Sequence, residues 1–271
     1  MKKIPHVSVI IPTWNRRELL SRAVHSALTQ EGVSVEVLVC DDGSDDGSRE
    51  MIAAWGDERV RLITGPRAGR PAIPRNRGIA AAQGEWLAFL DDDDEWLPGK
   101  LRRQLDNAVE RGCLAVCSNA LRHIPGKAPD LPYLPDMPEI LTFTDLSRLN
   151  SVITSSTIVH RSLIPRVGGF PEQEKLRAVE DYALWLRVAA ITTFAYLDIP
   201  LLIYRDAPTE SIRNQGSSEN LRQARVFCDW LLWAKARALS GHGLLAVKRF
   251  LFFRFPGVHT ALRRVWRMIF R

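Results

Sequence analysis

The chain has 271 residues, 46% of them hydrophobic and 25% charged, with a net charge of +6. That suits one large α/β domain or two small ones, and no run of about 18 apolar residues is present to cross a membrane. Residues 211–271 hold 12 Lys/Arg against 2 Asp/Glu, so the positive excess sits in the tail and argues against a nucleic-acid-binding body.

Residues 6–12, "HVSVIIP", are β-branched, end at Pro12 and read as a buried strand. The start "MKKIPHVSVIIPTWNRRE" lacks a small-residue cleavage site and is not read as a signal peptide. From Arg17, Leu19, Leu20, Ala23, Val24, Ala27 and Leu28 recur at a helical period. "VEVLVC" (35–40) is the next strand, "DDGSDDGS" breaks it, and a Ser/Asp N-cap opens a helix ending near Trp55-Gly56. "RVRLIT" (59–64) follows as a strand, and "GPRAGRPAIP" (65–74) as a loop. The short helix "RNRGIAAAQ" leads through Gly84 to the strand "EWLAFL" (85–90). Pro98 suits the first position of a helix running to about Arg111. "LAVCSN" (114–119) is a strand, and the proline-rich 124–138 is a long loop, a kind that is usually functional. The strand "SVITSSTIVH" (151–160), the helix "EDYALWLRVAA" (180–190) and the strands "FAYLDI" and "LLIYR" close the domain near residue 206. The β-α-β-α-β order predicts a parallel sheet flanked by helices. Cys40, Cys113, Cys117 and Cys228 make no CxxC pair or metal pattern and read as reduced packing residues of a cytoplasmic protein.

Acidic residues gather where strands end or helices begin. They are Asp41-Asp42 after "VLVC", Asp91 to Asp94 after "WLAFL", and Glu180-Asp181 before "YALWLR". Open α/β sheets bind ligands outside the carboxyl ends of their strands. Two strands that deliver carboxylates to one edge repel each other unless a cation offsets the charge. Mg²⁺ or Mn²⁺, which take one or two carboxylates plus substrate phosphates, would do so, and a metal-bound phosphate ester is the expected ligand. No GxGxxG or GxxxxGK[ST] loop offers an alternative phosphate cradle. "DDGSDDGS" opens like a calcium loop, but its twelfth position is Ala53 rather than Glu. Each acid also has a structural reading as a turn, an N-cap or a helix-start acid. Asp94 and Glu95 in particular read as favouring the start of the Pro98 helix.

The ordered motifs "VSVIIPTWNR", "VLVCDDGSDDGS", "RNRGIAAAQGEWLAFLDDDDEWLP", "GGF" and "EDYALWLR" resemble the family 2 glycosyltransferases over roughly residues 5–206. The resemblance implies an α/β GT-A fold, a mostly parallel, Rossmann-like central sheet flanked by helices. It also implies an inverting enzyme with a nucleoside-diphosphate sugar donor, most readily a UDP-sugar. In this chain Pro12, Thr13 and Asn15 would line the nucleotide pocket and Asp41 would accept a hydrogen bond from the base. Arg70 would contact the base or diphosphate, with Arg67 and Arg75 as alternatives. Asp91-Asp92-Asp93 would be the DxD motif, with Asp91 toward the ribose, and Asp93 together with Asp91 on the Mg²⁺ or Mn²⁺; Asp92 and Asp94 remain alternatives in that run. Asp181 would be the general base, with Glu180 as fallback. Many relatives have a His two residues after "YR"; here Ala207 stands there, His160 and His123 are poor substitutes, and Asp206 or Arg213 is left to take its place.

The expected organisation is a catalytic domain 1–206, with a nucleotide-sugar-binding half 1–120 and an acceptor-side half 121–206, then a helical basic extension 207–271. Acceptor contacts are expected from loop 124–138 and region 155–175. In 258–271, Val258, Leu262, Val265 and Ile269 form a stripe with the arginines largely off it, the pattern of a helix lying in a membrane interface. The expected partners are the nucleotide-sugar donor, a glycan or lipid-linked acceptor, and an anionic membrane surface met through residues 244–271, with no nucleic acid. The expected location is cytoplasmic, at the inner face of the plasma membrane. A sugar nucleotidyltransferase or a non-catalytic membrane-surface protein are the competing readings.

Overall fold

The computed structural model describes residues 6–128, 132–207, 218–239 and 241–255. The predicted helix 258–271 and Arg213 lie outside them.

The first half builds the predicted parallel sheet. β1 (Val7–Thr13) pairs in parallel with β2 (Val35–Asp41) on one side and β4 (Trp86–Phe89) on the other, and β2 pairs with β3 (Val60–Thr64). All seven residues of β1 and of β2 are buried, as expected of a strand covered on both faces. Side chains of β1 alternate between two cores. Val7, Val9 and Ile11 pack with Leu20, Val24 and Ala27 of α1 (Arg17–Leu28) and with Leu101 and Leu105 of α4 (Lys100–Arg111). Ile10 joins the opposite core, with Cys40, Phe89 and Ala72 of α3 (Ala72–Ala81). α2 (Ser48–Ala53) crosses between β2 and β3.

The second half makes the sheet mixed. The strand order is β3-β2-β1-β4-β8-β6-β9-β5, with β7 beside β9. β8 (Ile158–His160) runs antiparallel to both β4 and β6 (Ala115–His123), so it joins the two parallel halves. The two predicted strands after residue 193 form one bent strand, β9 (Phe194–Arg205), parallel to β6 and irregular in register near Asn119. β5 (Glu95–Trp96) and β7 (Ile140–Leu141) pair antiparallel with β9.

Several predicted boundaries move. α2 opens behind Gly47 (φ 84) with no side-chain cap in place of the expected Ser/Asp N-cap, α3 begins at Ala72 inside the predicted loop 65–74, and β6 runs on to His123. α4 begins at Lys100 behind Gly99 (φ 76), so Pro98 lies outside it and Glu95 starts a strand, not a helix. Of the predicted strand 151–160 only the last three residues pair, because Thr154–Ser156 turn into a 3-10 helix.

α5 (Phe143–Arg148), α6 (Ile164–Val167) and α7 (Glu180–Ala189) cover one face. α8 (Glu219–Ala236) buries Val226, Phe227, Trp230 and Trp233 in the same core as Tyr182 and Trp185 of α7, and α9 (Gly243–Arg254) adds Ala246. No helix among the described residues is long and apolar enough to cross a membrane.

Candidate active site

The carboxyl ends of β1, β2 and β4 open on one side of the sheet, where the register pairs Thr13 with Asp41. α7 brings Glu180 and Asp181 to the same place. A cavity of about 730 Å³ lies between them, a size suited to a nucleotide-sized ligand. Of the predicted site residues, Pro12, Thr13, Asn15, Arg70, Asp91, Asp92, Asp93, Glu180 and Asp181 line it. Asn15 adopts φ 52, a left-handed turn that Asn tolerates. Its side chain pairs with Asp45 in both directions, at 2.6 and 2.9 Å, and so ties the end of β1 to the turn after β2.

Asp41 does not border the cavity. Its carboxylate accepts from the Gly43 and Ser44 amides, each at 3.1 Å, and from Arg49 Nε at 2.5 Å. Burial opposes that charge, but the Ser44, Arg49 and Gly43 bonds outweigh it and hold the pKa below the ordinary value. Successive residues at a strand end point to opposite sides, so Asp42 lines the cavity instead. It accepts from the Ala68 and Gly69 amides at 3.0 and 2.8 Å and from Arg67 at 2.7 Å. Arg67 also lies 3.6 Å from the ring centre of Trp14, which is 45% exposed on the cavity wall.

The four aspartates separate. Asp94 turns inward because Glu95 and Trp96 join the sheet; it is 1% exposed, accepts the Arg205 amide at 2.8 Å and does not line the cavity. Burial, then the charges of Asp93 and Asp91, raise its pKa well above the ordinary value. The other three meet two arginines. Arg16 Nη1 donates to Asp92 at 3.1 Å and to Asp93 at 2.6 Å. Arg75, buried on the cavity wall, donates to Asp91 at 2.6 Å and to Glu180 at 3.1 Å. Burial, then the Asp93 charge, push the Asp92 pKa up to about 7, against Arg16 and the Thr13 hydroxyl, which donates to it at 2.8 Å. Burial likewise raises Asp93, with Arg16 opposing, and raises Glu180, with Arg75 opposing. Burial works against the charge on Arg16 and Arg75 as well, but their carboxylate partners keep both protonated.

The 3-10 turn 154–156 serves both acidic groups. The Thr154 hydroxyl donates to Asp181 at 2.9 Å, and Ser155 Oγ accepts the Asp91 amide at 3.0 Å. Asn76 Nδ2 donates to the Phe170 carbonyl at 2.8 Å and its Oδ1 accepts the Phe170 amide at 2.9 Å, which fixes the "GGF" segment against α3. Arg70 reaches away from the strand ends, to the Glu172 carbonyl at 2.9 Å.

Sequence reasoning did not single out Arg16 or Trp14, and it placed "ITSSTIVHRS" (153–162) on the acceptor wall without tying the 154–156 hydroxyls to the acids. Their signals were the Arg that closes "PTWNR", the aromatic beside Thr13, and the hydroxyl run "TSST". The described parts of 124–138 and 155–175 do not line the cavity, and neither do His123 and His160. Ala207 and Asp206 do line it, the latter paired with Arg122 at 2.5 Å.

The donor set fits a hard divalent cation. Asp91 and Asp93, 31% and 22% exposed, present two carboxylates to one cavity, the number such an ion takes when phosphates complete its shell. Among the described residues no three His, Cys, Asp or Glu side chains converge to enclose one alone.

The sequence model of glycosyl transferase family 2 matches residues 8–166. The chain is 44% identical over 117 residues to the succinoglycan biosynthesis protein ExoO of Rhizobium meliloti, a match covering 43% of this chain and 34% of that protein. It is 30% identical over 188 residues to the UDP-Glc:alpha-D-GlcNAc-diphosphoundecaprenol beta-1,3-glucosyltransferase WfgD of Escherichia coli, covering 67% and 69%. In fold it is similar to S. aureus TarS 1–349 in complex with UDP-GlcNAc, with a TM-score of 0.73, 20% identity and coverage of 93% and 73%. It is also similar to the mannosyltransferase PcManGT from Pyrobaculum calidifontis in complex with GDP-Man and Mn²⁺, with a TM-score of 0.56, 17% identity and coverage of 93% and 70%.

Proposed function

Because the chain belongs to glycosyl transferase family 2 and is a glycosyltransferase, we propose that it is an inverting enzyme of lipid-linked or surface-polysaccharide assembly. It moves a sugar from a nucleoside-diphosphate donor, a UDP-sugar first among them, to an acceptor hydroxyl. One observation carries this reading: carboxylates from two strand ends and one helix start border a single cavity of about 730 Å³. The UDP-GlcNAc complex of TarS and the substrate named for WfgD support the donor and acceptor classes.

The nucleobase lies against Trp14, with Asp42 rather than Asp41 as its acceptor, since Asp42 is the one that meets the cavity. Thr13 fixes Asp92, and Asp91 faces the ribose. Asp93 and Asp91 would hold Mg²⁺ or Mn²⁺, which supplies Lewis-acid stabilisation of the diphosphate when bound. Arg16 and Arg67 add positive charge along the cavity wall. Asp181, oriented by Thr154, takes the proton of the acceptor hydroxyl as its oxygen attacks the anomeric carbon. Glu180 is the weaker candidate base, because Arg75 engages one of its oxygens within the protein. It positions Arg75, and through it Asp91. The basic residues of 244–271 bring the enzyme to an anionic membrane surface; in α9, Leu244, Val247 and Leu251 are exposed beside Lys248, Arg249 and Arg254.

The test is a screen of UDP-, GDP- and dTDP-sugars by nucleotide release, with Mg²⁺, Mn²⁺ or chelator. Asp93→Ala and Asp181→Asn should each lower turnover by roughly a hundredfold or more while the fold is retained. Near-wild-type turnover in both would sink the assignment.

A further inference from the structure

A second cavity, of about 390 Å³, adjoins the first, and Ala178 and Asp181 wall both. Ala178 holds φ 69, a left-handed conformation that is unfavourable for a residue with a Cβ. Strain of this kind persists where the surrounding structure over-determines it, and it gathers at functional sites. Here it lies at the junction of the two cavities, three residues before the proposed base.

A single displacement needs donor and acceptor bound together. A donor that fills the first cavity leaves the acceptor hydroxyl to approach Asp181 from another side, and the second cavity gives that side. Its wall is chemically mixed. Arg148, 66% exposed, ends α5 and approaches Asp145 only to 4.0 Å. Arg222, on the first turns of α8, pairs with Glu219 at 2.6 Å. Leu149 and Phe253, the latter from α9, add apolar surface. Guanidinium forks match phosphate oxygens, and the apolar pair matches hydrocarbon.

We propose that this second cavity is the acceptor subsite and takes a lipid-linked sugar diphosphate. The sugar hydroxyl meets Asp181, the diphosphate meets Arg148 and Arg222, and the first hydrocarbon units lie on Leu149 and Phe253. The inference rests on Asp181 being the base. In the transfer the hydroxyl proton passes to the Asp181 carboxylate and the hydroxyl oxygen bonds to the anomeric carbon. The bond from that carbon to the donor phosphate breaks, its electron pair leaving with the nucleoside diphosphate.

The experiment uses the full chain, the donor selected by the nucleotide-release screen, and a short-chain polyprenyl diphosphate carrying N-acetylglucosamine as acceptor probe. Arg148→Ala removes one guanidinium, and Gln223→Trp, on the α8 wall, fills the cavity. Each should raise the acceptor KM about tenfold or more, the first by loss of one charge-assisted contact and the second by occupying the acceptor's space, while the nucleotide Kd and the melting temperature stay at wild-type values. Wild-type acceptor KM in both variants overturns the subsite. A wild-type enzyme that hydrolyses the donor yet transfers nothing to the probe overturns the lipid-diphosphate occupant. If Asp181→Asn transfers normally while the two KM effects hold, the subsite stands and the assignment of the base falls.

Discussion

Arg16 shows how one side chain changes the electrostatics expected of the aspartate run. With a guanidinium 2.6 Å from Asp93 and 3.1 Å from Asp92, part of the cation demand is met from within the chain. Arg16→Met removes this counter-ion. Manganese should then bind in the absence of nucleotide roughly tenfold more tightly, about 1.4 kcal/mol, as read by titration of the Mn²⁺ spin signal. An unchanged or weaker affinity would show that Arg16 does not compete for the site. Lys100 is a second charge that sequence inspection passes over. It is 0% exposed, lies 4.1 Å over the Trp96 ring and donates to Gln104 at 2.7 Å, with no carboxylate in ion-pair range among the described residues. Burial lowers its pKa well below the ordinary value. The unfolded chain protonates this lysine near pH 10.4, before the folded chain does. Its contribution to stability is therefore present above that pH and is lost as pH falls toward the folded pKa. Urea denaturation from pH 10 to 7 should show Lys100→Met gaining on the wild type as pH falls, and a parallel pair of curves would refute this.

Elements were legible where a single period dominated. β1, α1, β2 and α7 fall close to their predicted spans because continuous apolar runs or helical spacing leave no competing arrangement. The segments that failed are short and decided by partners. Residues 154–156 become a turn because their hydroxyls bond to the Ile153 carbonyl and to Asp181, and Glu95-Trp96 become a strand because β9 lies beside them. α3 is held by close contact with the sheet. A Cβ built on Gly78 would lie 2.6 Å from Cys40 Sγ and 2.7 Å from Ile10 Cγ2. Gly78→Ala therefore costs about 1–3 kcal/mol in overpacking, which outweighs the gain of up to about 1 kcal/mol in helix propensity. It also displaces Arg75 from Asp91, so a lower melting temperature should come with weaker nucleotide binding. Stability equal to the wild type would contradict the packing argument.

At the scale of the molecule, the antiparallel β8 places the second half of the sheet so that α7 faces the strand ends of the first. α8 then closes the core behind α7 through an ion pair. Arg187 donates to Asp229 at 2.6 Å, with both side chains 8% exposed. Arg187→Met leaves a buried carboxylate unpaired and should cost about 3–5 kcal/mol in urea denaturation, whereas Arg187→Met with Asp229→Leu should recover most of that loss. An additive double variant would mean that the two charges do not act as a pair.

The sequence by itself determined the class of protein, the parallel first half of the sheet, and which strand ends and helix start carry the acids. Those features follow from local patterns: apolar periodicity, turn residues and the order of motifs along the chain. Only the tertiary structure decided which carboxylates meet the cavity. It turned Asp41 and Asp94 inward, brought Asp42 forward, and placed Arg16 and Arg75 among the acids. The physical reason is that a side chain's direction at a strand end depends on which neighbour the backbone next pairs with. A charge's environment likewise depends on residues as far apart as Arg75 and Glu180, whose spacing along the chain carries no signal of their contact.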